Sequence, residues 1–358
     1  MQRPLYSGIK IFNSSKGWLN VRFVSSVKEK QVVVEELPAW TKPLSCRPDP
    51  KLARRRREPN NSFRNSLSAY YELGKPKLTA LVVLSAMSSY ALAPAGGSLA
   101  ELAFLTAGTT MCSAAANSIN QGREPEFDRQ MARTRTRPVA SYRLTSKDAY
   151  TYAAIIGSAG VATLWYGTNG VVAALGAANI YLYGITYTSM KRTSIANTWV
   201  GAVVGAIPPL MGWATCSSLM APQPWILAGM LYSWQFPHFM SLSYTIGEEY
   251  KRAGYQMAGW TNPQLASRVS LRHALAMFPL CFAAAYFGIT DAYFTIDSSL
   301  LNGWLAWAAY KFWQQQRKNG SKNYARILFL VSVIHLPGIL VLAMLHKKGQ
   351  WDWVSSMF

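Results

Sequence analysis

Residues 99–138 read LAELAFLTAGTTMCSAAANSINQGREPEFDRQMARTRTRP. Residues 99–116 suit a helix in lipid, yet residues 123–137 bring three carboxylates and five arginines within fifteen positions. That junction fits a helix leaving a bilayer at a polar site. Asn120, Glu124 and Asp128 are spaced i, i+4, i+8, so a continuing helix puts them on one face. An Asp at mid-bilayer costs about 2.5–3.5 kcal/mol, which argues for a hydrated pocket. Oxygen donors on one face suit a hard divalent ion such as Mg²⁺, shared with substrate phosphate oxygens. Pro125 offers no donor to the Gln121 carbonyl, so the helix is expected to bend or end there. Arg129, Arg133, Arg135 and Arg137 then supply forked donors for phosphate.

The rest of the chain supports a membrane setting. Half of the 358 residues are hydrophobic, and 15% are charged, against about 25% in soluble proteins. The formal charge is +20, but the basic residues cluster between long neutral stretches. No helix-turn-helix, zinc finger or RNA-binding strand is present, so nucleic acid is not the expected partner. Cys46, Cys112, Cys216 and Cys281 form no CxxC pair and imply no disulfide or metal framework.

Nine apolar spans are expected, near 78–95, 99–118, 149–167, 170–187, 196–215, 223–245, 273–290, 299–315 and 327–345, each close to the ~20 residues of a crossing. The predicted class is an all-α polytopic membrane protein. Loops after the first, third and fifth spans carry no charge, whereas those after even spans hold Arg123 to Lys147, Lys191 and Arg192, Lys251 to Arg272, and Arg317 to Arg326. The positive-inside rule puts all the latter on one side. Residues 1–28 carry five basic residues, several serines and no acid, as a mitochondrial presequence does. Residues 29–69 read as a polar, disordered arm on the matrix side, 70–346 as the membrane domain and 347–358 as a tail.

Two further polar groups fall on the basic side. Lys191 and Arg192 are the only charges between Asp148 and Glu248; alone, such a pair reads as a topogenic signal. Glu248 and Glu249 close the sixth span, and a continuous helix would put His238 on the same face as Glu249. Two acidic clusters with cations at one membrane face call for an anionic diphosphate carrying an apolar tail, such as an isoprenyl diphosphate. An ion transporter would instead need charges deep within its spans.

NxxxExxxD at 120–128 followed by MxRTxxRP at 131–138 resembles the first signature of the UbiA-type prenyltransferases. More narrowly, KRTSIANTWVGAVVGAIPPLMGW and WQFPHFMSLS resemble the protoheme IX farnesyltransferase branch, with the likeness running from about Tyr70 to His346. The resemblance implies about nine transmembrane helices around a central cavity in the mitochondrial inner membrane, the site facing the matrix. It implies a Mg²⁺-dependent transfer of the farnesyl group of farnesyl diphosphate to a vinyl group of heme B, giving heme O for cytochrome c oxidase. The alternative is a related enzyme acting on a quinone precursor. On matching positions, Asn120, Glu124 and Asp128 are implied as the first metal–diphosphate motif, with Lys191 catalytic. Arg133, Arg137, Lys191 and Arg192 are implied to hold diphosphate, and Glu248 and Glu249 to complete the metal set. His238 is a candidate contact for heme. A downstream heme A synthase is a possible partner. Two departures stand out: Glu249 replaces the usual Asp, and Gly122 and Arg123 replace bulky apolar residues.

Overall fold

The computed structural model describes residues 63–94, 97–318 and 323–350. The expected presequence and residues 29–62 of the expected arm lie outside these. The arm's last residues belong to a helix, α1 (Phe63–Leu73). The long segments are α2 (Pro76–Leu92), α3 (Leu99–Arg123), α5 (Ser146–Gly167), α6 (Gly170–Tyr181), α7 (Asn197–Ala214), α8 (Pro222–Thr245), α11 (Pro263–Tyr286), α12 (Tyr293–Lys318) and α13 (Asn323–Leu345). Short helices lie between them: α4 (Pro125–Asp128), α9 (Gly247–Arg252) and α10 (Ala258–Thr261). No β-strand occurs among the described residues.

Local chemistry sets the starts of these helices. Ser98 with Glu101, and Thr145 with Asp148, form capping boxes that open α3 and α5. Asn169 and Asn262 cap α6 and α11 through the Val172 and Leu265 amides. The α6 segment does not run as a regular helix. A π-turn at Leu182–Tyr187 interrupts it before a last α turn at Thr188–Met190.

Each long helix packs on the next in chain order. α2 also packs on α7, and α8 on α13, while α13 meets α2 only lightly. One core joins Leu105, Leu164, Val172 and Met211 in the first half. A larger one gathers Met277, Phe294, Leu305, Phe312 and Leu328 in the second. The α2–α7 contact is tight because Gly212 has no side chain: a Cβ there would lie 1.9 Å from the Ala86 carbonyl oxygen. Leu81 and Leu84 on α2, Ile155 on α5, and Leu330 and Ile334 on α13 stay exposed, leaving an apolar outer face suited to lipid.

Nine crossings were expected. Among the described residues, four segments are long and apolar enough to cross a membrane: Leu99–Arg123, Gly170–Met190, Pro263–Tyr286 and Asn323–Leu345. Pro76–Leu92 has only 17 residues, and α12 carries Lys311 and three glutamines at its end.

At the end of α13, His346 is held between two acids. Its Nδ1 faces both oxygens of Asp291 at 2.9 and 3.0 Å, and Nε2 faces Asp297 at 2.9 Å. Partial burial alone would lower its pKa, but the hydrogen bonds and charges of both acids raise it above the usual 6.5. A raised histidine pKa stabilises the fold fully below 6.5, and that contribution is lost as pH rises through the folded value. His346→Gln is therefore expected to lower the melting temperature in detergent more at pH 5.5 than at pH 8.5. An equal decrement at both pH values would show that the imidazolium contributes nothing.

Candidate active site

The helix break predicted at Pro125 is present. α3 ends at Arg123, and Glu124 forms the joint to α4 with φ −118° and ψ 24°. Asn120, Glu124 and Asp128 are all buried. Glu124 Oε2 accepts from Asn120 Nδ2 at 2.6 Å and from Lys191 Nζ at 2.7 Å. Both oxygens of Asp128 accept from Arg137 Nη1, at 2.8 and 2.9 Å. The loop thus folds back so that the last arginine of the motif faces its last acid.

Lys75 completes the cluster. Its Nζ donates to Asn120 Oδ1 at 2.7 Å and reaches the Tyr183 hydroxyl at 3.4 Å. Its backbone is left-handed, at φ 50° and ψ 65°, a conformation costly for a residue with a side chain. Burial pulls the Lys75 pKa well below its ordinary value; Arg137 and Lys191 pull it further, and Asp128 and Glu124 oppose them. Lys191 and Arg137 thus pair with the two carboxylates, and an anion entering the pocket would favour the charged form of Lys75 as a third cation. Such a set suits a multivalent anion.

Aromatic groups close the pocket. Tyr183 and Tyr187 stack at 5.4 Å between centroids, and the Lys191 ammonium lies 4.8 Å from the Tyr187 ring. Tyr255 lies near both carboxylates: burial, followed by the charges of Glu124 and Asp128, raises its phenol pKa. The phenol therefore stays protonated as a donor.

The second acidic segment lies beside the first. Met131, Ala253, Tyr255 and Met257 share a small core with Phe127 and Tyr250, and Gln256 N donates to the Lys191 carbonyl at 2.7 Å. Glu248 is exposed. Glu249 is half-buried, and its Oε2 is buried without a hydrogen-bond partner. An orphaned buried carboxylate oxygen suits a cation. The donors are all oxygen, as a hard ion requires. Among the described residues, no three His, Cys, Asp or Glu side chains converge into a ready metal cage. The set fits Mg²⁺ in the form in which phosphate oxygens and water complete the shell.

Other expected residues are less enclosed, or lie away from this cluster. Arg133 is exposed. Arg192 is exposed too, its guanidinium lying over Phe127 at 4.3 Å. Arg129 braces the loop by donating to the Ala140 carbonyl at 3.0 Å and stacking on Tyr142. The sixth span is not continuous: α8 ends at Thr245 and Ile246 turns the chain, so His238 and Glu249 do not share a helix face. His238 packs toward α13, stacked on Trp234 at 4.8 Å with Nδ1 2.9 Å from Ser332 Oγ. Lys75, Tyr183, Thr188 and Tyr255 were missed. Gly74-Lys75-Pro76 at the head of the first span was the available signal, and it reads equally well as a lysine reaching for the interface.

Several proteins are similar in sequence to this chain. A relative from Yarrowia lipolytica, a mitochondrial protoheme IX farnesyltransferase, is 58% identical over 296 residues, covering 80% of this chain and 63% of that protein. The Saccharomyces cerevisiae protein of the same name is 55% identical, covering 80% and 65%. The chain thus spans less than two thirds of either relative. The Candida glabrata counterpart is 51% identical, covering 89% and 74%. A digeranylgeranylglyceryl phosphate synthase structure superposes with a TM-score of 0.67 at 14% identity, covering 78% of this chain and 98% of that one. A UbiA homologue from Archaeoglobus fulgidus bound to GPP and Mg²⁺ gives 0.55 at 12%, covering 77% and 99%. These two likenesses concern the fold alone. The pattern of the UbiA prenyltransferase family matches residues 82–333, more than half the chain, and with the relatives above it means that this chain belongs to the UbiA prenyltransferase family.

Proposed function

We propose that this protein transfers the farnesyl group of farnesyl diphosphate to a vinyl group of heme B, producing heme O. The observation that carries this reading is the buried set of Glu124 and Asp128 with Lys75, Lys191 and Arg137 at the end of an apolar bundle. The acceptor is argued from the relatives named protoheme IX farnesyltransferase, 51–58% identical.

The barrier is charge separation at the allylic C–O bond. Lys75, Lys191 and Arg137, already oriented, stabilise the diphosphate as its charge grows. Glu124, Asp128, Asn120 and Glu249 would hold Mg²⁺, which when bound supplies further neutralisation of the leaving group. Apolar helix walls exclude water from the allylic cation until the vinyl carbon attacks. Water then adds to the resulting substituent and loses a proton, leaving a hydroxyethylfarnesyl group. Purified protein given heme B, farnesyl diphosphate and Mg²⁺ should yield heme B increased by one farnesyl and one hydroxyl. A prenylated quinone precursor as the sole product would replace the reading with its rival.

His238 fits a heme contact chemically. Ser332 Oγ donates to the Phe329 carbonyl at 2.6 Å, so its lone pairs receive the His238 Nδ1 proton. That tautomer leaves Nε2 bare, and a held Nδ1 is how ligating histidines are oriented. His238→Ala should shift the absorption spectrum of bound heme while farnesyl diphosphate affinity holds. An unchanged heme spectrum and affinity would make His238 a packing residue between α8 and α13.

We further propose that the site faces the mitochondrial matrix. Cysteines placed singly in the Arg129–Arg143 loop should label only from that side, and one in the 166–170 turn only from the other. Labelling of both from one side would overturn the orientation.

A further inference from the structure

The π-turn at Leu182–Tyr187 has an unusual set of side-chain donors on its outer rim. Arg123 Nη1 donates to the carbonyls of Gly184 and Ile185 at 3.3 and 3.1 Å, and Nη2 to Ser189 Oγ at 2.8 Å. Ser189 in turn donates to the Ile185 carbonyl at 2.7 Å, and Thr188 to the Tyr183 carbonyl at 2.9 Å. Three consecutive carbonyls thus bond to side chains. Wide π-turns loosen the helical ladder, and they recur at functional sites. On the side facing α3, the turn presses close: a Cβ at Gly184 would lie 3.1 Å from Ile119.

The inner side of the same turn delivers the pocket. Tyr183 meets Lys75, Thr188 Oγ1 takes Asn120 Nδ2 at 3.1 Å, and Lys191 reaches Glu124. Arg123 itself is exposed, and among the described residues its guanidinium bonds to the turn and to Ser189 just beyond it. It also directly precedes Glu124 in sequence. A residue fixed to both the end of α3 and the π-turn sets the register between the carboxylates and the cation that faces them.

Building on the prenyl-diphosphate reading, we propose that Arg123 is a positioning residue: its guanidinium pins the π-turn so that Lys191, Thr188 and Tyr183 stand opposite Glu124 and Asn120. An arginine is needed because its planar fork meets two carbonyls and a hydroxyl together, where an ammonium has no fixed plane. The effect belongs to the diphosphate end of the pocket, because every group the turn delivers lies there.

The test uses the full chain in detergent, with Arg123→Ala and Arg123→Lys. Calorimetry with inorganic diphosphate and Mg²⁺ reads the pocket without any prenyl acceptor. Arg123→Ala should weaken that binding about tenfold, the scale of one charge-assisted hydrogen bond. The KM for farnesyl diphosphate should rise by the same factor, with the KM for heme and the melting temperature unchanged. Arg123→Lys should recover part of the loss. Unaltered diphosphate affinity in Arg123→Ala overturns the inference while leaving the prenyl-transfer reading intact. So does an equal loss for both substrates with a lowered melting temperature, which marks a merely structural role. A wild-type chain that binds no Mg²⁺–diphosphate overturns both together.

Discussion

Glu124→Gln is expected to lower prenyl transfer by about 10²–10³-fold or more, the range for removing one preorganised group from a charge-separating site. The amide is nearly isosteric and still offers an oxygen to Lys191, which now donates at 2.7 Å. Packing and insertion should therefore persist, and detergent-extracted yield should match wild type. Only the negative charge is lost. That makes the variant decisive between two roles. If Glu124 served only as a counter-ion to Lys191, removing its charge would leave the pocket more cationic. Diphosphate would then bind as well or better, and activity would hold. If it shares a cation with the diphosphate, raising Mg²⁺ should recover part of the activity, because a weakened site is refilled by mass action. The measurement is initial rate against Mg²⁺ concentration. Activity within tenfold of wild type at ordinary Mg²⁺ would reduce Glu124 to a counter-ion.

Much of this architecture was legible from spacing and charge. The i, i+4, i+8 pattern of Asn120, Glu124 and Asp128 brought Asn120 and Glu124 into direct contact, even though Pro125 divides the helix. Loop charge placed Lys191 and the 248–249 acids near the same end, and the 127–131 and 253–257 segments do share a core. What escaped depended on the tertiary fold. Ile246 breaks α8, and Gly247 directly after it was the one local signal of the break. The π-turn after α6 contacts Arg123 and Ile119 on another helix, and its own residues do not signal its width. No periodicity argument assigns Tyr183 and Lys191 to the pocket when the turn between them is not 3.6 residues wide. Arg133 and Arg192 are exposed at turns of the chain, so their enclosure could not be read from the motif.

Lys75 carries the other large effect. Lys75→Met should reduce kcat/KM for farnesyl diphosphate by about 10²-fold, most of it through kcat, and Lys75→Arg should recover only part. The methionine keeps the length and apolar stem of lysine, so the helix start at Pro76 stays packed. Two changes then act together. The pocket loses the amine that an entering diphosphate would hold in its charged form, and Asn120 Oδ1 loses the donor 2.7 Å away that fixes the orientation of its carboxamide. With that anchor gone, Nδ2 need not point at Glu124 and Thr188, as it now does at 2.6 and 3.1 Å. Arginine restores charge, but its larger planar head does not fit where a single ammonium meets both Asn120 and Tyr183. The left-handed backbone gives a second, independent check. Strain of about 1–3 kcal/mol held at one residue is relieved by glycine, so Lys75→Gly should lose activity as Lys75→Met does while melting no lower than Lys75→Met. If both variants turn over farnesyl diphosphate like wild type, the lysine serves only to start α2, and its strained geometry has no part in the chemistry.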